Sequence, residues 1–99
     1  MWILQSLDGQ ENRPLVFRVL PGSIKTVGRA PRADFIVDAA LVSRLHCRLE
    51  ADAEKLEVVD LSSTNGTFVN NERVKRAKLS SGDRLRVGRI ELTVARATE

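Results

Sequence analysis

An all-β fold, an antiparallel sandwich or barrel, is what this sequence predicts, and three observations predict it. Short apolar runs alternate with polar residues at a period of two: Arg84-Leu85-Arg86-Val87 and Ile90-Glu91-Leu92-Thr93-Val94 do so strictly. Alternation of this kind turns one face inward and the other toward solvent. Turn signals punctuate the chain at Asp8-Gly9, Pro21-Gly22, Ala30-Pro31, Asn65-Gly66 and Ser81-Gly82-Asp83. No stretch of a dozen residues sustains the i, i+3, i+4, i+7 apolar spacing of an amphipathic helix.

The strands are expected between about residue 2 and about residue 96. Trp2 anchors the first. Leu15–Leu20 is an apolar run of strand length, and a further strand ends at Val27-Gly28. Phe35–Val37, Cys47–Leu49 and Leu56–Val59 are short runs of the same kind. Phe17, Phe35 and Phe68 are expected in the core, and Ala97-Thr98-Glu99 as a frayed end or the point where a longer chain was cut.

Composition narrows the function. A chain of 99 residues, 42% apolar and 29% charged, has the length and balance of one folded domain. No apolar run approaches the ~20 residues of a membrane helix, and the first residues lack the basic segment of a secretory signal. Cys47 is the only cysteine and His46 the only histidine. An intrachain disulfide and a His/Cys metal cage are therefore both excluded, no cofactor is called for, and a reducing cytoplasmic compartment is expected.

The net charge is +3, distributed as +2 over residues 1–30, −3 over 31–60 and +4 over 61–99. One tight basic cluster, Arg73, Lys75, Arg76 and Lys78, raises the possibility of nucleic acid. With no Tyr and four aromatics in all, stacking platforms are wanting, and a solvated basic surface is the plainer reading. Ser43 and His46 do not make a hydrolase pair. No Gly-x-Ser-x-Gly elbow is present, and on an extended segment their i, i+3 spacing sends the side chains to opposite faces. Asp60 or Asp83 as the orienting third group has no support. The chain is not read as an enzyme.

Three polar clusters remain, each at a turn: Gly28-Arg29, Ser43-x-x-His46, and Asn65-Gly66-Thr67-x-x-Asn70. Singly, each is ordinary turn chemistry. In this order and spacing, flanked by Val59-Asp60-Leu61-Ser62-Ser63-Thr64 and by Leu79-Ser80-Ser81-Gly82-Asp83-Arg84-Leu85-Arg86-Val87-Gly88, they make the chain resemble a forkhead-associated (FHA) domain, a phosphothreonine-recognition module.

The resemblance implies one domain over residues 1–99, with a core of about 3–95, built as two twisted antiparallel sheets with the binding loops at one end. It implies that Arg29 contacts the phosphate, that Ser43 donates its hydroxyl there, and that Arg44 adds a second basic contact. Thr64 helps form the threonine pocket beside the phosphate, and Asn65 and Asn70 hold the peptide main chain. Gly28, His46 and Gly66 support the binding loops without touching ligand. Leu41 and Val42 stand where some members carry a basic residue, which argues against an acidic preference downstream of the phosphothreonine. Asn71, Glu72 and Arg73 extend the last binding loop. The expected partners are phosphothreonine segments of kinase substrates, with neither membrane nor nucleic acid involved. A phosphate-independent scaffold that binds through a sheet face is the alternative.

Overall fold

Eleven strands follow in chain order in the computed structural model, which describes residues 1–6 and 14–97. They are β1 (Trp2–Ser6), β2 (Val16–Val19), β3 (Ile24–Gly28), β4 (Phe35–Ile36), β5 (Cys47–Ala51), β6 (Leu56–Asp60), β7 (Thr67–Val69), β8 (Glu72–Val74), β9 (Arg76–Leu79), β10 (Arg84–Val87) and β11 (Ile90–Arg96). A six-stranded sheet has the order β2-β1-β11-β10-β7-β8, and a five-stranded sheet the order β4-β3-β5-β6-β9. The expected turn at Asp8-Gly9 lies outside the described residues.

Strand alternation builds the core. Leu4, Leu85, Val87, Leu92 and Val94 face inward from the six-stranded sheet, and Val27, Cys47, Leu49, Leu56 and Val58 from the other, all essentially inaccessible to solvent. At roughly 25 cal/mol per Å² of apolar surface removed from water, this shared layer is what holds the sheets face to face. Phe17 stacks on Phe35 with ring centroids 4.5 Å apart, joining β2 of one sheet to β4 of the other.

The structure departs from the sequence reading at several points. The sandwich is antiparallel except at β3 and β4, which pair in parallel with Val27 opposite Phe35. The intervening loop doubles back because Asp34 and Thr26 bond each other twice through backbone N–H groups, at 2.8 and 3.0 Å. Phe68 is not a core residue. It lies on the outer face of the six-stranded sheet, half-buried, with the Arg86 guanidinium 4.1 Å above its ring. Of the expected frayed end, Ala97 is tied down, its N–H bonding the Met1 carbonyl at 2.8 Å, while Thr98 and Glu99 lie outside the described residues.

The basic cluster is not one patch. Arg73 lies on β8 in the six-stranded sheet, whereas Arg76 and Lys78 lie on β9 in the other, with Arg76 paired to Glu57 at 3.6 Å. The chain changes sheets at Lys75 and disperses the charge that the sequence shows as a run. Among the described residues no helix is long and apolar enough to cross a membrane.

Candidate functional site

Three connections emerge at one end of the sandwich: the turn after β3, the β4–β5 loop and the β6–β7 loop. The first two are joined by backbone bonds. The N–H groups of Arg29 and Ala30 donate to the carbonyls of Ser43 and Arg44, each at 3.0 Å, and the His46 N–H donates to Val27 at 2.8 Å. So close an approach requires a residue without a side chain, because a Cβ on Gly28 would collide with the Arg44 carbonyl.

The third connection is tied to the second by side chains. The Ser43 hydroxyl oxygen accepts from the Thr64 N–H at 3.0 Å, and the Asn65 side-chain amide donates to the Leu41 carbonyl at 3.1 Å. His46, fully buried, lies beneath both. Its Nδ1 accepts from the Ser43 N–H at 3.0 Å, so the ring proton is on Nε2, which donates to the Gly66 carbonyl at 2.8 Å. Residues 43–46 form a turn rather than an extended segment. The premise that sends Ser43 and His46 to opposite faces is therefore wrong: the imidazole folds back onto the Ser43 backbone, where it is a strut and not a base.

A second set of braces, not anticipated from the sequence, centres on Asp60. Its carboxylate accepts from the Ser63 hydroxyl at 2.5 Å, the Ser63 N–H at 3.2 Å and the Thr67 hydroxyl at 2.7 Å, while the Ser63 hydroxyl oxygen accepts from the Gly66 N–H at 3.0 Å. Partial burial pushes the Asp60 pKa up, but the hydrogen bonds from Ser63 and Thr67 outweigh it and hold the carboxyl below the usual range. The signal was present as Asp60-x-x-Ser63, a spacing at which a carboxylate caps the turn that follows it.

Above these braces lies an open cleft of about 430 Å³ lined by Arg29, Leu41, Val42, Ser43, Arg44, Thr64 and Asn65. Five of the residues expected to hold the phosphopeptide, Arg29, Ser43, Arg44, Thr64 and Asn65, thus line one concavity, and Gly28, His46 and Gly66 sit behind it. The Arg29 Nε donates to the Val42 carbonyl at 3.2 Å, which fixes the guanidinium and leaves its terminal nitrogens for other acceptors. Arg29 and Arg44 are exposed, and among the described residues no carboxylate lies within ion-pair distance of either.

Asn70 is placed elsewhere. With Asn71 it forms the two-residue turn between β7 and β8, both at positive φ, 50° and 69°, the geometry of a type I′ hairpin. Its side chain is engaged at both ends, donating to Asp83 at 3.1 Å and accepting from the Arg84 N–H at 2.9 Å.

Known proteins share these features. The FHA domain family profile matches residues 25–88. The glycogen accumulation regulator GarA of Mycobacterium tuberculosis is 38% identical over 74 residues, which cover 75% of this chain and 46% of GarA. The chain thus spans about half the length of that relative. The FHA domain of the CT664 protein of Chlamydia trachomatis superposes with a TM-score of 0.90 over 98% of both chains, at 23% identity, a likeness of fold. A further structure, solved in work on phosphothreonine-dependent FHA domain interactions, is 32% identical with a TM-score of 0.83 over the full length of both chains. By sheet order, by the sequence of its loop motifs and by these matches, the chain belongs to the FHA domain family of phosphothreonine-binding modules.

Proposed function

We propose that this domain is a non-catalytic adaptor that captures phosphothreonine segments of partner proteins inside the cell, in Ser/Thr kinase signalling. One observation carries the reading: two guanidinium groups without an ion-pair partner among the described residues, a hydroxyl that accepts and can still donate, and an amide edge meet in one cleft whose walls are cross-braced. Phosphothreonine brings about −1.5 to −2 charge and three acceptor oxygens. Arg29 and Arg44 supply charge to it. Ser43, whose oxygen already accepts from Thr64, donates its remaining hydrogen to a phosphate oxygen. Thr64 packs beside the threonine methyl, and the Asn65 carbonyl and second N–H pair with the peptide main chain. Asn70 acts in this scheme as a strut of the β7–β8 hairpin.

Matched peptides carrying phosphothreonine, phosphoserine or threonine, titrated by calorimetry, test the reading. Phosphothreonine should bind best and threonine not measurably, because one packed methyl is worth about 1–3 kcal/mol and the phosphate contacts more. Arg29→Ala should cost about 1.5–3 kcal/mol, roughly ten- to hundredfold in Kd, with the β-type circular dichroism intact. Equal binding of all three peptides would refute the proposal, and partner binding that survives Arg29→Ala would favour the sheet-face scaffold.

A further inference from the structure

The outer faces of the two sheets differ in charge. On the five-stranded sheet Arg48 pairs with Glu50 and Arg76 with Glu57, so most of that charge is matched within the domain. On the six-stranded sheet the register turns Arg18, Arg84, Arg86 and Arg73 outward, opposite Ile3, Thr93, Glu91 and Phe68 in turn. Glu91 is the one carboxylate among the outward positions of these strands, and it lies 3.6 Å from Arg84. Between the strands that carry Arg18 and Arg84 the face dips into a hollow of about 270 Å³ lined by Ile3, Gln5, Ser6, Thr93 and Ala95. The hollow shares no residue with the phosphate cleft. Val16, opposite Gln5 on β2, is exposed. The Thr93 hydroxyl has no hydrogen-bond partner among the described residues, a state that native folds rarely leave in a buried polar atom.

A face with this surplus of cations repels the same face of a second copy and attracts anions. Its other side chains select among them. Phe68 is the one aromatic among the outward positions, and the Arg86 guanidinium lies 4.1 Å from its ring centroid, which takes it away from stacking on a base. Ile3, Val16 and Ala95 offer instead a seat for an aliphatic or aromatic side chain, which a sugar-phosphate backbone lacks. We propose that the outer face of the six-stranded sheet is a second, phosphate-independent docking surface for an acidic protein segment, which seats one apolar side chain between β1 and β11 and sets carboxylates against Arg18 and Arg84. Strands β2 and β10, which carry these arginines, are three positions apart in the sheet, roughly 14 Å and thus the span of about four extended residues. The assignment does not depend on the phosphopeptide reading of the cleft. A partner that bears both a phosphothreonine and such an acidic segment engages both sites at once and gains avidity from the linkage.

The test follows backbone amide shifts of the isotope-labelled domain by NMR at low salt. The probe is an unphosphorylated peptide with one central leucine flanked by aspartates and glutamates. Two control peptides replace the leucine by alanine or the acids by their amides, and a short DNA duplex serves as a polyanion without an apolar side chain. The leucine peptide should shift amides of β1, β10 and β11 saturably, with the cleft loops unmoved. The alanine control should bind about tenfold more weakly, and the amide control should lose binding. Arg18→Gln and Arg84→Gln should each weaken the leucine peptide about two- to fivefold. Ala95→Glu, at an exposed position, should abolish its binding, while Arg29→Ala should leave it unchanged. Shifts confined to the cleft loops, equal binding of the leucine and alanine peptides, or tighter binding of the duplex would each overturn the proposal. So would shifts that track protein concentration alone, which would give the face to a second copy. A failure of phosphothreonine binding with these sheet shifts intact would remove the cleft reading and leave this one standing.

Discussion

Asp60 and His46 show how single side chains hold the recognition loops. His46 satisfies the Ser43 N–H and the Gly66 carbonyl from within the protein, groups that would each cost about 1–3 kcal/mol if buried without partners. Asp60 does the same for the next turn, and its acidity gives a pH signature. Its folded pKa lies below the unfolded value of about 3.9, so as pH falls the unfolded chain takes up the proton first. The stability Asp60 contributes is complete above that unfolded value and is lost as pH drops through the folded one. Urea denaturation should therefore show a fall in stability below about pH 4. Asp60→Asn should cost about 1–3 kcal/mol at pH 7 and flatten the acid limb. Some slope should remain, because backbone hydrogen bonds from Thr26, and from Glu54 and Lys55, also lower Asp34 and Asp52. An unchanged acid limb in Asp60→Asn would remove it as the loop's anchor.

At the scale of elements, the β7–β8 hairpin separates what the sequence made legible from what it hid. Strands β10 and β11 were readable because strict alternation leaves one inward face and no competing reading. Strands β8 and β9 were not: Glu72-Arg73-Val74 and Arg76-Ala77-Lys78-Leu79 are short, charged and at sheet edges, where few positions are buried. Asn70-Asn71 lacks the glycine that flags a two-residue turn, although asparagine tolerates positive φ. The cleft itself was legible through its motif order, while the Asp60 braces depend on which groups meet across the fold. Asn70→Ala should lower stability by about 1–2 kcal/mol, through lost hydrogen bonds and a left-handed position that alanine resists. Affinity of the folded protein for a phosphothreonine peptide should stay within about twofold. A tenfold loss with the fold intact would place the Asn70 side chain on the peptide instead.

For the molecule as a whole, Cys47 serves as a built-in reporter. It is fully buried between the sheets, and burial, reinforced by the negative charge of Asp60 and only partly offset by a hydrogen bond with Thr67, pushes its thiol up to about 12. Unfolding returns it to about 8.5. At neutral pH the folded domain should react with a thiol reagent roughly three orders of magnitude more slowly than the denatured chain. Labelling across a urea series should track the circular dichroism transition. Rapid labelling under native conditions would mean that the sheets separate locally.

The contact between Gly28 and the Arg44 carbonyl has a final consequence for diversification. Because the two turns share a backbone ladder, neither can lengthen or shorten without prying the other loose. Recognition of new ligands is therefore expected to evolve by exchanging the side chains displayed at Leu41 and Arg44 over an unchanged frame, so descendants of this chain should vary in what they grip while keeping the shape of the hand.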